Sequence, residues 1–340
     1  MEDNFFALAT YSEKGKPAFA AIVIGEYAFE LEVAHRAYKN SGLREKGTLT
    51  ATRSVQELLE EWDRNFEVLQ CIAEFVHREG PSSDRFQGGA FLQKDLRPLP
   101  PIARPSKILN CAANYGGHLA EMRKYTQAAG ALDPAKVYSG DKTNSEPYLF
   151  LKAPSSLIGA HDDIVMPSVS SHVDWEAELG VVMGAVCRTV KAEAAMKDVA
   201  GFMTFNDVSC RDRLFRTDRP NFRTDWLSSK SYDSFGPSGP FLVPRAFVPN
   251  HSALRLTLKV NGETKQDGLA GEMIYSPEEQ IEYASRMMSL LPGDIFATGT
   301  LAGVGQGTGV FLKPGDLVET EVHLLGRQRN RVVASETEVR

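Results

Sequence analysis

Asp174, Glu176 and Glu178 alternate along the stretch His172 to Gly184, immediately ahead of the apolar run Leu179-Gly180-Val181-Val182-Met183. On a strand, residues two apart share a face, so these carboxylates would crowd one surface while the strand enters an apolar interior. Like charges that close raise one another's pKa unless a cation neutralises them, and an all-oxygen donor set selects a hard ion such as Mg²⁺, Mn²⁺ or Ca²⁺. A metal site is one reading, and the solvated face of an edge strand is the other.

Asn206-Asp207-Val208-Ser209-Cys210-Arg211-Asp212 follows another apolar run, Val199 to Phe205. It sets an amide, an acid and a guanidinium at the end of a buried strand, or it is a turn in which Asn and Asp bond their own backbone. Asn114-Tyr115-Gly116-Gly117-His118-Leu119-Ala120-Glu121 opens a potential helix after the run Ile108 to Ala113. Three positions apart on one face, His118 and Glu121 can pair so that the carboxylate orients the imidazole for activating water, although such pairs also occur on exposed helices. Lys230 precedes a Gly/Pro-rich turn, and Thr298-Gly299-Thr300-Leu301-Ala302-Gly303-Val304-Gly305 supplies hydroxyls and free N–H groups. Either could bind an oxyanion, or be a solvated lysine and a structural turn. Neither a phosphate-cradling P-loop nor a G-x-G-x-x-G fingerprint is present, which disfavours nucleotide binding.

These residues need elements to hold them. The 340-residue chain carries 38 Lys+Arg against 44 Asp+Glu, ordinary for a chain that buries a large core without staples. Its four cysteines, Cys71, Cys111, Cys187 and Cys210, form no Cys-x-x-Cys pair, which speaks against a disulfide framework or zinc ribbon and for a reducing compartment. An acidic start at Met1-Glu2-Asp3-Asn4 and the lack of a long apolar run lead us to expect a cytoplasmic protein without a membrane span. The mild acidic balance gives no footprint for nucleic acid or an anionic membrane surface.

Hairpins are expected over Phe5 to Tyr11 and Pro17 to Leu31, where Phe19, Ala21, Val23 and then Tyr27, Phe29, Leu31 alternate. Ser54 and Glu57 form a capping box ahead of one long amphipathic helix that runs to Gly80-Pro81. Pro98, Pro100, Pro101 and Pro105 then break regular structure. The boundary is placed there, dividing the chain into a smaller α+β N-terminal domain with its linker, 1–104, and a second domain, 105–340. The latter is β-rich, with short apolar runs bounded by Gly and Pro and one clear helix capped by Ser276 and Glu279.

Taken in register, N-Y-x-x-H-x-x-E at Asn114 to Glu121, P-x-L-F-L-K at Pro147 to Lys152, E-x-E-L at Glu176 to Leu179 and N-D-x-S-x-R-D at Asn206 to Asp212 resemble the fumarylacetoacetate hydrolase family. So do K-S-Y-D-S-F-G-P at Lys230 to Pro237, P-G-D-x-x-x-T-G-T at Pro292 to Thr300 and F-L-K-P-G-D at Phe311 to Asp316. The resemblance implies a mixed β-rich α+β chain whose catalytic domain is a mixed β-sandwich roll, commonly a homodimer with one divalent ion per site. It implies Glu176, Glu178 and Asp207 as metal ligands, with His118 and Glu121 as the water-activating dyad and Lys230 as a catalytic lysine. Tyr115, Lys152, Arg211, Leu214 and Thr300 would contact substrate, and Asp174 would lie behind the ligands. The expected reaction is metal-dependent hydrolysis of a C–C bond in a 1,3-diketo or acylpyruvate-like acid from aromatic catabolism. Decarboxylation, isomerisation or hydration of a 2-oxo acid uses the same enolate chemistry, and a catalytically silent ligand-binding protein is the alternative of another class.

Two departures from the family pattern stand out. Leu214 occupies a position where acylpyruvate-cleaving relatives often carry glutamine, which predicts a less polar substrate contact. An insertion over about Lys124 to Asn144 sits beside the dyad and is expected to reshape or shield the pocket.

Overall fold

The computed structural model describes residues 5–13, 17–43, 47–128, 140–219, 221–222 and 224–335. The N-terminal part is a five-stranded antiparallel sheet of β1 (Ala7–Ser12), β2 (Phe19–Ile24), β3 (Tyr27–Glu30), β4 (Ala90–Leu92) and β5 (Arg97–Leu99), in the order β4-β3-β2-β1-β5. Pro98 sits on the edge strand β5 opposite Tyr11, where a missing N–H costs no ladder bond. The second hairpin ends one residue earlier than its alternation suggests. Leu31 instead begins helix α1 (Leu31–Lys39), which buries Leu31, Ala34, His35 and Tyr38 at helical spacing.

The helix expected after Ser54 is broken. Ser54 caps a single turn, α2 (Val55–Leu58), a 3₁₀ turn covers Leu59–Glu61, and α3 (Trp62–Glu79) restarts on a new axis. Glu61, at φ −129° and ψ 53°, lies outside the helical region and makes the break.

The C-terminal part is built on a six-stranded mixed sheet. Its order is Val243–Pro244, Val199–Asn206, Ala177–Met183, Ile295–Thr300, Ile108–Ala112, Tyr148–Lys152, with only the Ile295–Thr300 and Ile108–Ala112 pair parallel. The strands Val199–Asn206, Ala177–Met183 and Ile295–Thr300 are buried at every position, which is why they read as apolar runs rather than alternating ones. One face packs Leu179, Val181, Met183 and Phe202 with Leu256 and Val322 of a second sheet. That sheet runs Glu263–Leu269, Arg255–Val260, Leu317–Val322, Gly326–Ala334, Ile164–Met166. The other face packs Val182, Ala200, Met203 and Phe205 with Trp62, Leu69, Ile72 and Phe75 of the N-terminal helices. A backbone bridge between Leu8 and Leu242 adds to this contact. The expected mixed sandwich-like β-rich architecture with an α+β N-terminal part is what the chain adopts.

Helix α4 (Gly116–Ala128) leaves the Ile108–Ala112 strand. Residues 129–139, the middle of the insertion, lie outside the described residues. The return arm docks on the capped helix Pro277–Met287, where Lys142 Nζ bonds Glu279 at 2.7 Å and Ser145 Oγ meets Tyr275 Oη at 2.6 Å. Asn114, just ahead of α4, grips the backbone of the same Tyr275, donating to its carbonyl at 2.9 Å and accepting from its N–H at 2.7 Å. Among the described residues no helix is long and apolar enough to cross a membrane.

Candidate metal centre and active site

Two adjacent strands bring the acids together. Ala177 pairs with Asn206 at the end of the central antiparallel ladder, so Glu176 and Asp207 leave it side by side. Glu176 N donates to Asn206 Oδ1 at 3.0 Å, and Asp207 N donates to the Glu176 carbonyl at 2.9 Å. Glu178 rises from the same ladder and accepts Gly299 N–H at 2.9 Å. One carboxylate oxygen from each of Glu176, Glu178 and Asp207 lies within 4.8 Å of the others, and all three residues are buried. Among the described residues no other trio of His, Cys, Asp or Glu donors converges this way.

Asp174 does not share their face. The strand breaks after Asp174 and resumes at Ala177, so the two-residue alternation expected from Asp174 to Glu178 fails at Trp175. The Asp174 carboxylate accepts Arg211 Nε at 2.7 Å, Gly305 N at 2.6 Å and Gln306 N at 3.0 Å.

Three buried cations face the acids. Lys230 Nζ bonds Glu176 Oε2 and Asp207 Oδ2, both at 2.6 Å. Arg211 Nη2 pairs with Glu176 Oε1 at 2.6 Å, and Lys152 Nζ bonds Asp207 Oδ1 at 2.8 Å. Among the described residues Glu178 has no cation of its own. Burial, followed by the neighbouring charges of Asp207 and Glu176, drives its carboxyl well above the usual range. Burial acts on Glu176 in the same sense but is overcome by Lys230 and Arg211, which hold its carboxyl below the ordinary value. Burial also pulls the Lys152 ammonium down despite Asp207, whereas Asp207 and Glu176 together lift Lys230 against the same penalty. A carboxylate trio with one member this short of positive charge fits a hard divalent ion.

A small cavity of about 50 Å³ lies beside the trio, walled by His118, Glu176, Asp207, Arg211, Lys230 and Thr300, and by Cys111, Ala112, Ala113, Phe150 and Trp226. Grooves of about 360 Å³ elsewhere lie on the strands of the second sheet and carry no comparable cluster. His118 is buried on α4, and its Nδ1 lies 3.8 Å from Glu121 Oε2, beyond a hydrogen bond. Glu121 instead accepts Gly303 N–H at 3.1 Å. The two residues expected to form a dyad are therefore neighbours, with the carboxylate tied to the backbone of the next loop.

Three expected substrate contacts lie off the cavity wall. Lys152 is not on the wall: its Nζ is enclosed by Asp207, the Val208 carbonyl at 3.1 Å and the Lys230 carbonyl, which takes all three donors. Tyr115 is packed in the core behind the trio, 1 % exposed. Leu214 is half-buried in the turn after Arg211 and does not line the cavity. Thr300 does line it, yet its hydroxyl donates to the Ala177 carbonyl and accepts from Gln266 Nε2, both at 2.9 Å.

Asn206 and Gln266 were not singled out from the sequence as residues that position the site. Asn206 stood in the N-D motif. Gln266 sits in a polar strand and gave no local signal, but it ties Ala177 N–H at 2.8 Å to the loop after Thr300.

The chain belongs to the fumarylacetoacetate hydrolase family: residues 107–333 match the model described as fumarylacetoacetate (FAA) hydrolase C-terminal. Over 237 residues it is 37% identical to the mitochondrial oxaloacetate tautomerase FAHD2A of Homo sapiens, covering 69% of each chain. It is 42% identical over 235 residues to a 2,4-didehydro-3-deoxy-L-rhamnonate hydrolase of Sphingomonas sp. (strain SKA58), covering 68% of this chain and 75% of that one. The crystal structure of 2-hydroxyhepta-2,4-diene-1,7-dioate isomerase from Mycobacterium marinum superposes with a TM-score of 0.65 at 25% identity, covering 98% of this chain and 100% of the other. Relatives named as a hydrolase, an isomerase and a tautomerase thus share this fold.

Proposed function

We propose that the chain is a Mg²⁺- or Mn²⁺-dependent hydrolase that cleaves the C–C bond of an acylpyruvate-like acid. The observation that carries this reading is the buried trio Glu176, Glu178 and Asp207, of which Glu176 and Asp207 line one small cavity together with His118 and Lys230. Those three side chains would hold the ion, which when bound polarises the oxygens of a 1,3-dicarbonyl and favours enolate character.

His118, whose Nδ1 has no hydrogen-bond partner among the described residues, takes a proton from the attacking water. Water oxygen bonds to the distal carbonyl carbon, the adjacent C–C bond breaks, and its electron pair passes into the 2-oxo acid as an enolate. The proton held by His118 then passes to the enolate carbon freed by that cleavage, and the attacked carbon leaves as the carboxyl of the second acid. Lys230 keeps Glu176 and Asp207 in place, and its remaining N–H is available to the enolate oxygen.

A second reading, keto–enol tautomerisation of a 2-oxo acid, draws support from one observation: His118 is not hydrogen-bonded to Glu121, as suits a proton carrier that need not hold a water. Titration of Mg²⁺ or Mn²⁺ against heat stability, then product analysis on acylpyruvates and oxaloacetate, separates the readings. Release of two acids supports hydrolysis, whereas an absorbance change without cleavage supports tautomerisation. His118→Ala should lower turnover by ~10² or more while retaining the metal-induced thermal shift. Full activity in that variant removes His118 from the chemistry, and no response to either metal defeats both readings.

A further inference from the structure

The cavity wall divides into two chemistries. Beside the charged residues stands an aromatic pair, Phe150 and Trp226, with ring centroids 4.3 Å apart and planes at 19°. Trp226 and Lys230 begin and end one short helix, Trp226–Lys230, and residues four apart share a helix face. Lys230 Nζ lies 5.5 Å from the Phe150 ring centroid, so the aromatic pair directly adjoins the ammonium that bonds Glu176 and Asp207. The Trp226 indole N–H donates to Tyr148 Oη at 3.2 Å, so the indole itself presents no free donor to the cavity. Tyr148 is 55% exposed, so the aromatic surface leads outward from the trio.

Charge points the same way. Around the trio, the buried carboxylates Asp174, Glu176, Glu178 and Asp207 outnumber the cations Lys152, Lys230 and Arg211 by one. A divalent ion would turn that deficit into one positive charge, which one substrate carboxylate neutralises. Among the described residues that line the cavity, a second carboxylate would meet no unpaired cation, because Arg211 and Lys230 are already held by Asp174, Glu176 and Asp207.

We propose that Phe150 and Trp226 form a subsite for an uncharged, planar tail, so that the substrate is a 2-oxo acid with one carboxylate and an aromatic or conjugated acyl group. The proposal rests on the reading of the trio as the site for the 2-oxo acid head and adds what the tail must be. An aryl ring extending the stack gains both burial and an offset aromatic contact.

Calorimetric binding of pyruvate, phenylpyruvate and 2-oxoadipate to the Mn²⁺-loaded protein tests it without turnover. Phenylpyruvate should bind about tenfold more tightly than pyruvate, and 2-oxoadipate no more tightly than pyruvate. In Trp226→Ala the phenylpyruvate-to-pyruvate affinity ratio should collapse to within about twofold, and Trp226→Phe should restore most of it. A ratio that survives Trp226→Ala, or a preference for 2-oxoadipate over phenylpyruvate, overturns the subsite and leaves the head reading standing. Failure of every one of these acids to bind overturns the head reading and the subsite with it.

Discussion

Lys152→Met separates two accounts of a lysine whose sequence position suggested substrate contact. In the structure its ammonium is wholly enclosed, bonded to Asp207 Oδ1 at 2.8 Å and to the carbonyls of Val208 and Lys230. Methionine fills most of the same volume but leaves Asp207 with one cation fewer and strips two carbonyls of a donor. Breaking a buried ion pair from one side costs about 3–5 kcal/mol, which for a chain of this size lowers the melting temperature on the order of 10 °C. The imbalance among the buried charges also grows by one, so a divalent ion should restore more stability to the variant than it adds to wild type. Scanning calorimetry in chelator and then in excess Mg²⁺ reads both effects. A metal-free variant that melts within about 2 °C of wild type, with a raised KM as its main defect, would refute the argument and return Lys152 to the substrate.

Gly299 has φ +102°, and a Cβ there would lie 2.6 Å from the Asn114 Cβ. Gly299→Ala should cost about 1–3 kcal/mol in backbone strain alone. It should also weaken Mn²⁺ binding through loss of the bond to Glu178, both measurable by urea unfolding and calorimetry. Burial opposes charge on Glu278, yet His251 at 3.5 Å and the Ser276 side chain hold its pKa at about 2, against 4.5 for the free group. A depressed carboxyl stabilises the fold above its unfolded pKa and loses that contribution as pH falls through the folded value. The stability difference between wild type and Glu278→Gln should therefore shrink between about pH 4.5 and 2, and a difference that grows on acidification would contradict the pairing.

The acids of the trio were legible because strand alternation and the N-D motif mark the two chain segments that meet at Ala177 and Asn206. Asp174 was read with them because periodicity does not show where a strand breaks, and the interruption at Trp175 depends on bonds to Gly303 and Gln266, more than eighty residues away. The enclosure of Lys152 was equally invisible, since its three acceptors come from Asp207, Val208 and Lys230. In the N-terminal part, Leu31, Ala34, His35 and Tyr38 carry a helical period. Leu31 nevertheless completed an alternating pattern, and two periodicities competed over the same residues. The polar strands Glu263–Leu269 and Gly326–Ala334 lack apolar runs because one side of the second sheet faces water, and only pairing with their neighbours identifies them.

The helices Val55–Leu58 and Trp62–Glu79 press against the reverse of the sheet that carries Glu178 and Asn206. Cutting the chain at the proline-rich stretch would bare Ile108, Val182, Ala200, Met203, Phe205, Leu242, Ile295 and Ala297 together, a greasy slab of the kind that drives precipitation. The first hundred residues thus act as the foundation on which the chemistry stands, and a fragment beginning near Lys107 should come out of cells as inclusion bodies unless something else shelters that slab.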